Sequence, residues 1–369
     1  MPFYHYIQTN TAAGKRTLNR LLALRKKLQA EIPAKQLETN LLLATWNIRE
    51  FDSPAYGMRL TESFYYIAEI IARFDLVAIQ EVRDDLRALK YLLKILGGHW
   101  SYVVTDITAG NQGNKERLAF VFDTRKVRFG GLAGEMVLPP FEKKDPQTGQ
   151  TIYESVSQLA RTPYTCGFTA GWTNFQLTTV HILYGQDSAN NPDRVKEIET
   201  IAQTLSKRAD GATEWSNNNV LLGDFNIYKP SDMTYAAIVN AGFTIPQELQ
   251  HLPSNAIKNK FYDQIAFKTR PGLFETTGRA GVFDYYNTVF RPEDETEYIP
   301  EMGDAYFKTD AGTPRTNKAA YYKTYWRTHQ MSDHLPMWVE ISIDHTDAYL
   351  SSRLLPPQQQ EPPVSENGN

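Results

Sequence analysis

The chain has one cysteine, Cys166, among its 369 residues. A lone thiol forms no intramolecular disulfide, which excludes a small disulfide-stapled scaffold and leaves the hydrophobic core to hold the fold. Cys166 itself, within YTCGF, is expected to be a buried strand residue. Long apolar runs are absent too: no stretch approaches the roughly 20 residues needed to cross a bilayer. The amino terminus, MPFYHYIQTN, lacks the basic-then-apolar order of a signal peptide, so a cytoplasmic protein without a membrane span is the expectation. An excess of positive charge is also missing. With 39 Lys and Arg against 42 Asp and Glu, a formal net charge of -3, there is no global cationic field, and any nucleic-acid contact must rely on local Arg and Lys clusters. The chain is instead rich in core material. A composition 41% hydrophobic and 12% aromatic suffices for one large α/β domain or two smaller ones.

Composition separates the ends from the middle. Residues 14 to 32 place Leu18, Leu21, Leu22, Leu28 and Ile32 near one helical face, with Lys15, Arg16, Arg20, Arg25, Lys26 and Lys27 around the rest. Pro33 ends that helix. A basic helix can meet DNA or an anionic membrane, but an amphipathic extension docked on the domain, spanning residues 1 to 40, is the favoured reading. Residues 346 to 369 are expected to be a disordered tail, since their Pro, Gln, Glu and Ser offer little apolar surface to offset the entropy of ordering. Residues 291 to 330 interrupt the pattern of the middle region with Tyr, charge and loop formers, and read as an insertion near the site. Their basic-aromatic cluster, Tyr321, Tyr322, Lys323, Tyr325, Trp326 and Arg327, is suited to base stacking or, equally, to packing.

Strand and helix signals alternate between the ends. LLLATWN (41 to 47) and LVAIQEV (76 to 82) are short apolar runs typical of buried strands, flanking a helical repeat of Phe64, Ile67, Ala68 and Ile71. A second helix is expected from Asp84 to Gly97. FQLTTVHIL (175 to 183) reads as strand, residues 192 to 208 as a helix with Pro192 in its first turn, and NNVLLGDFN and HLPMWVEISI as strands. Acidic groups, amides and histidines recur at the strand ends, where open sheets place ligands.

Those end groups suit phosphate chemistry. Asn47 of TWNIREF, Glu81 of IQEVRD, Asp224 and Asn226 of GDFN, and Asp333 of SDHLP are hard oxygen donors of the kind Mg²⁺ prefers. His181 and His334 add candidates for a general acid and a general base. Singly, each Asp or Asn reads as a turn residue or helix cap, and His181 as a core histidine. The set of them, all at strand ends, points to catalysis. His5, His99, His251, His329 and His345 lack such company and receive no role.

In order and spacing, NIREF, IQEVRD, NKERLAFVF, the strand-borne His181, GDFN, YDQI and SDH resemble the endonuclease/exonuclease/phosphatase superfamily, and within it the deoxyribonuclease I-like branch, over roughly residues 41 to 345. The resemblance implies a four-layer α/β/β/α sandwich with two packed mixed or antiparallel sheets, which the strand-helix pattern alone does not distinguish from a doubly wound sheet. It implies a Mg²⁺-dependent endonuclease, with Mn²⁺ able to substitute and Ca²⁺ in a structural role, acting on DNA, double-stranded in the branch. Asn47, Glu81 and Asp333 would hold the metal. Asp224 and Asn226 would orient the phosphate, the water or a second ion. His334 would activate the attacking water, oriented by Asp263 of YDQI, and His181 would protonate the leaving oxygen, paired with Glu116 of KER. Arg49 and Arg83 match positions that contact DNA, with a surface ion pair as the plain alternative. The branch's stacking tyrosine before KER is replaced by Asn114, and the disulfides of its secreted members are impossible here. Two other functions stay in view: a phosphodiesterase or phosphatase of the same fold acting on a phospholipid or inositol phosphate, and a non-catalytic interaction module.

Overall fold

The computed structural model describes residues 1–51, 53, 57–108, 115–155, 158–211, 215–270 and 274–354. Among the described residues thirteen strands form two large sheets and one hairpin. The first sheet contains β1 (Asn40–Phe51), β2 (Leu76–Arg83), β3 (Trp100–Val104), β4 (Glu116–Asp123), β12 (Thr276–Val282) and β13 (Met337–Ser342), ordered β12-β13-β1-β2-β4-β3. The second contains β5 (Val127–Glu135), β8 (Tyr164–Ala170), β9 (Thr173–His181), β10 (Asn219–Asp224) and β11 (Asp263–Lys268), ordered β11-β10-β9-β8-β5. The hairpin pairs β6 (Phe141–Lys144) with β7 (Thr151–Glu154). Each large sheet has one parallel pair, β1 with β2 and β9 with β10, among antiparallel neighbours.

The period-2 alternation of β1 explains why these strands build a sandwich. Leu41 and Leu43 point into the core shared with the second sheet, where Phe120, Phe168, Phe175 and Leu177 meet them. Leu42, Ala44, Trp46 and Ile48 face outward, where helices cover them. The helices on that outer side are α1 (Ala12–Glu31), α2 (Thr61–Ile71) and α3 (Arg87–Leu96), and α4 (Pro192–Ala209) and α5 (Met233–Asn240) supply Ile198, Ile201, Leu205 and Ile238 to the core of the second sheet. The arrangement is the four-layer α/β/β/α sandwich, not a doubly wound sheet. Cys166 is fully buried on β8, as its apolar context requires.

The amino-terminal helix docks, with a shifted face. Gly14, Thr17, Leu21, Leu24 and Leu28 are buried at alternating spacings of three and four, whereas Leu22 is 68% exposed. Its arginines meet carboxylates: Arg16 pairs with Glu62 and Glu301, Arg20 with Asp294, and Arg25 with Glu69. Residues 292–307 and 318–330 form short helical turns whose Tyr298, Tyr322 and Trp326 enter the same core as α1. Most of the basic-aromatic cluster therefore serves packing, and Tyr325 is its exposed ring at 41%. The expected disorder from residue 346 is corrected over Thr346–Arg353, which is helical. Asp344 caps that turn through Thr346 N, and Tyr349 meets the Trp172 ring. Residues 355–369 lie outside the described residues. Among the described residues no helix is long and apolar enough to cross a membrane.

Candidate active site

Both parallel pairs run their carboxyl ends to one edge of the sandwich, so Asn47 and Glu81 from the first sheet face His181 and Asp224 from the second. Asp224 lies level with His181 on β9 and Asp263 on β11. Gly223 makes this register possible: its φ is +135°, and a Cβ there would stand 2.2 Å from the Val180 carbonyl oxygen. The strand ends are irregular where the chemistry sits. Glu50, Glu81 and Asn226 have φ of +48°, +60° and +54°, a conformation that costs a non-glycine residue about 1–3 kcal/mol and persists where surroundings over-determine it.

Two imidazoles flank one carboxylate. His181 Nε2 is 3.5 Å and His334 Nε2 is 3.6 Å from Asp224 Oδ2. On its far side each ring meets a carboxylate of its own: Glu116 Oε2 lies 2.9 Å from His181 Nδ1, and Asp263 Oδ2 lies 2.8 Å from His334 Nδ1. Ser254 Oγ receives the Asp263 amide at 2.9 Å. Burial works to lower the pKa of both histidines, but the facing carboxylates outweigh it, raising His181 and lifting His334 well above the ordinary value. Burial raises Glu116, yet His181 and Arg161 hold it below the usual carboxylate range.

Asn47 ties the two sheets together. Its Nδ2 donates to Glu81 Oε1 at 2.8 Å and to Asp224 Oδ2 at 3.0 Å, while its buried Oδ1 has no hydrogen-bond partner among the described residues. Glu81 Oε2 accepts the Glu50 amide at 2.7 Å, and Asp224 Oδ1 accepts the Asn226 amide at 2.9 Å. Glu81, Glu116 and His181 also form a compact set in which one ligand atom from each lies within 4.8 Å of the others. Both Glu116 oxygens already face cationic or imidazole partners, Arg161 and His181. Among the described residues Asn47 Oδ1 is the uncommitted oxygen of this cluster, and with the carboxylates of Glu81 and Asp224, which keep lone pairs beyond the bonds above, it makes a set of hard oxygens that fits Mg²⁺.

The expected residues are not all equivalent. Asn47, Glu81, Glu116, His181, Asp224, Asn226, Asp263 and His334 converge. Asp333 is more open, its side chain 45% exposed and 3.8 Å from Arg49 Nε. Arg49 and Arg83 sit at the rim, bonded to Thr328 Oγ1 at 2.6 Å and Glu50 Oε2 at 3.0 Å respectively. Asn114 lies outside the described residues. Sequence reading missed two supporting groups. Ser332, within the quoted SDHLP, donates to the Asn47 carbonyl at 2.6 Å and accepts the Arg49 and His334 amides, locking β1 to the His334 turn. Arg161 pairs with Glu116 from an irregular stretch that carries no periodic or motif signal.

The chain is also similar to known proteins. The chain is 30% identical over 221 residues to deoxyribonuclease-1 of Bos taurus, covering 58% of this chain and 67% of that protein. It is 30% identical over 193 residues to a deoxyribonuclease of Thioalkalivibrio sp. (strain K90mix), covering 51% of this chain and 46% of that one. The match thus spans about half of the second relative's length. Among solved structures, a functionally unknown conserved protein from Enterococcus faecalis V583 superposes with a TM-score of 0.50 at 18% identity, covering 82% of this chain and 100% of that one. No protein-family profile matches the chain.

Proposed function

Since the chain belongs to the deoxyribonuclease I-like branch of the endonuclease/exonuclease/phosphatase superfamily, we propose that it is a divalent-metal-dependent nuclease that hydrolyses DNA phosphodiester bonds by in-line attack of water, leaving a 5′ phosphate and a 3′ hydroxyl. One observation carries this reading: two imidazole Nε2 atoms stand 3.5 and 3.6 Å from a single Asp224 oxygen, each ring backed by its own carboxylate. In-line displacement needs a base on one side of phosphorus and an acid on the other, and this pair faces one small volume from two sheets.

In this reading His334 takes the proton of the attacking water through Nε2. Asp263 holds its other nitrogen, fixing the tautomer and stabilising the imidazolium that forms. His181 gives its proton to the leaving oxygen, with Glu116 in the matching role and Arg161 anchoring Glu116. Asp224 and Asn226 orient the phosphate and the water. Asn47 and Glu81 would hold a cation, Mg²⁺ first and Mn²⁺ as a substitute, with Asp333 assigned to the set by the resemblance alone. When bound, that cation polarises the phosphate and neutralises charge in a pocket crowded with carboxylates. Arg49 and Arg83 would contact the flanking DNA backbone.

The test is incubation of supercoiled plasmid with Mg²⁺ or with chelator, beside His181→Ala and His334→Ala. Metal-dependent cleavage lost in both variants is expected. Intact plasmid together with hydrolysis of sphingomyelin or phosphoinositides would move the activity to the lipid branch of the fold.

A further inference from the structure

A run of rings leads outward from the site. The His334 ring lies 5.3 Å from that of Tyr262, Tyr262 lies 6.0 Å from Tyr228, and Tyr228 lies 6.3 Å from Tyr184. The outermost ring, Tyr184, follows His181 by three residues and is 38% exposed. An exposed tyrosine on a loop is ordinarily mobile, but this one is held at two points. Its hydroxyl donates to Asp187 Oδ1 at 3.0 Å, and Tyr228 donates to Tyr184 Oη at 2.7 Å and to the same aspartate. Behind it the Arg194 guanidinium lies 5.3 Å from the ring centroid.

Arg194 is itself fully buried, and its donors meet the carbonyls of Leu183, Tyr184, Gln186 and Ser188, together with that of Asn226. The loop after His181 is therefore pinned to the GDFN turn. Lys260 stands 3.0 Å from the Tyr228 centroid, placing an ammonium beside the rings. Rigid aromatic surface next to a cation is what a nucleotide needs, since the base stacks on the ring and the phosphate meets the ammonium.

We propose that Tyr184, backed by Tyr228 and Arg194 and flanked by Lys260, forms a stacking subsite for an unstacked nucleobase neighbouring the scissile phosphate. This rests on the nuclease reading above and narrows it to a substrate class: DNA that is single-stranded or locally opened. A paired base keeps both faces inside the helix, so a closed duplex offers nothing for the ring to take. A phospholipid or inositol phosphate has no base and gains nothing from it.

Steady-state cleavage by wild type, Tyr184→Ala and Tyr184→Phe tests the assignment on single-stranded oligonucleotides, on their abasic counterparts and on closed duplex. Tyr184→Ala is expected to raise KM on the single strand about tenfold, within the range of one base-aromatic stack. Closed duplex and abasic strand should be unaffected by the substitution. Tyr184→Phe, which keeps the ring and loses the Asp187 bond, should stay within about threefold of wild type. Equal losses on intact and abasic strands, or no loss on either, would overturn the subsite while leaving the nuclease reading standing. Failure of wild type to cleave any DNA would instead overturn the nuclease reading, and the subsite with it.

Discussion

Two clusters of buried charge sit in this sandwich, and they are built differently. In the structural cluster, Asp75 is fully buried between Lys126 at 2.7 Å and Lys35 at 3.3 Å, and Asp123 lies between Lys35 at 3.0 Å and Arg125 at 2.6 Å. Each carboxylate has more than one full cation, and the Leu42 amide adds a hydrogen bond to Asp75. At the site, Glu81 and Asp224 meet, among the described residues, the Asn47 amide, backbone N–H groups and imidazoles at 3.5 to 4.0 Å. Glu116, paired with Arg161, and Asp263, facing His334, add two more buried carboxyl groups. In a balanced cluster the cost falls on whatever removes one partner and leaves the other charge buried and unpaired, whereas a surplus of buried anions makes the metal-free fold less stable than it need be.

The two clusters differ most in what their loss does to activity. His334→Ala and His181→Ala should each lower turnover by roughly 10²–10⁴, with circular dichroism unchanged, and the double variant should lose little more than the worse single one because both act in one transition state. A double variant whose loss equals the product of the singles would separate the two roles. Next comes the structural cluster: Asp75→Asn leaves Lys126 buried without its counter-ion and should destabilise by about 3–5 kcal/mol in urea melts, with cleavage per folded molecule retained.

A pH titration sharpens the contrast. Glu197 is buried on α4, and burial, opposed only in part by the Leu183 amide, Arg161 and His181, raises its pKa to about 7. The folded state therefore holds this proton more tightly than the unfolded chain does, so its penalty is absent below the unfolded value near 4.5. Stability is lost as pH climbs from there to about 7, and the loss is complete above it. Glu197→Gln should remove on the order of 2–3 kcal/mol of that slope, read as the difference between wild-type and variant melts at pH 5 and pH 8. The smallest expected effect is Glu81→Gln, which should raise metal-free stability by roughly 0.5–2 kcal/mol while abolishing any stabilisation by Mg²⁺. A variant that melts lower than wild type in chelator would deny the anionic surplus.

The legible parts of this molecule were those where a polar group interrupts an apolar strand. Asn47, Glu81, His181, Asp224 and His334 each do so, and the sandwich brings them together. Arg161 gave no such signal, because it reaches Glu116 from an irregular stretch and its meaning exists only once β4 of one sheet packs against β9 of the other. The α1 face was displaced for a different reason: Leu22 and Leu24 are equally apolar, and only the three-four spacing imposed by packing on α2 selects Leu24. The 291–330 segment looked unpatterned since its turns are too short for helical periodicity, although Tyr298, Tyr322 and Trp326 anchor it in the core. The helix at Thr346–Arg353 was hidden by its polar composition, with no buried residue to mark a face.

In the proposed reaction, carboxylates and an amide from separate sheets gather a cation where a P–O bond is broken. The decisive measurement is the initial rate of supercoiled plasmid cleavage as Mg²⁺ is titrated into wild type and into Glu81→Ala. A saturable rise in wild type that is lost in the variant is predicted. Equal rates in the two proteins, or undiminished cleavage in chelator, would contradict it.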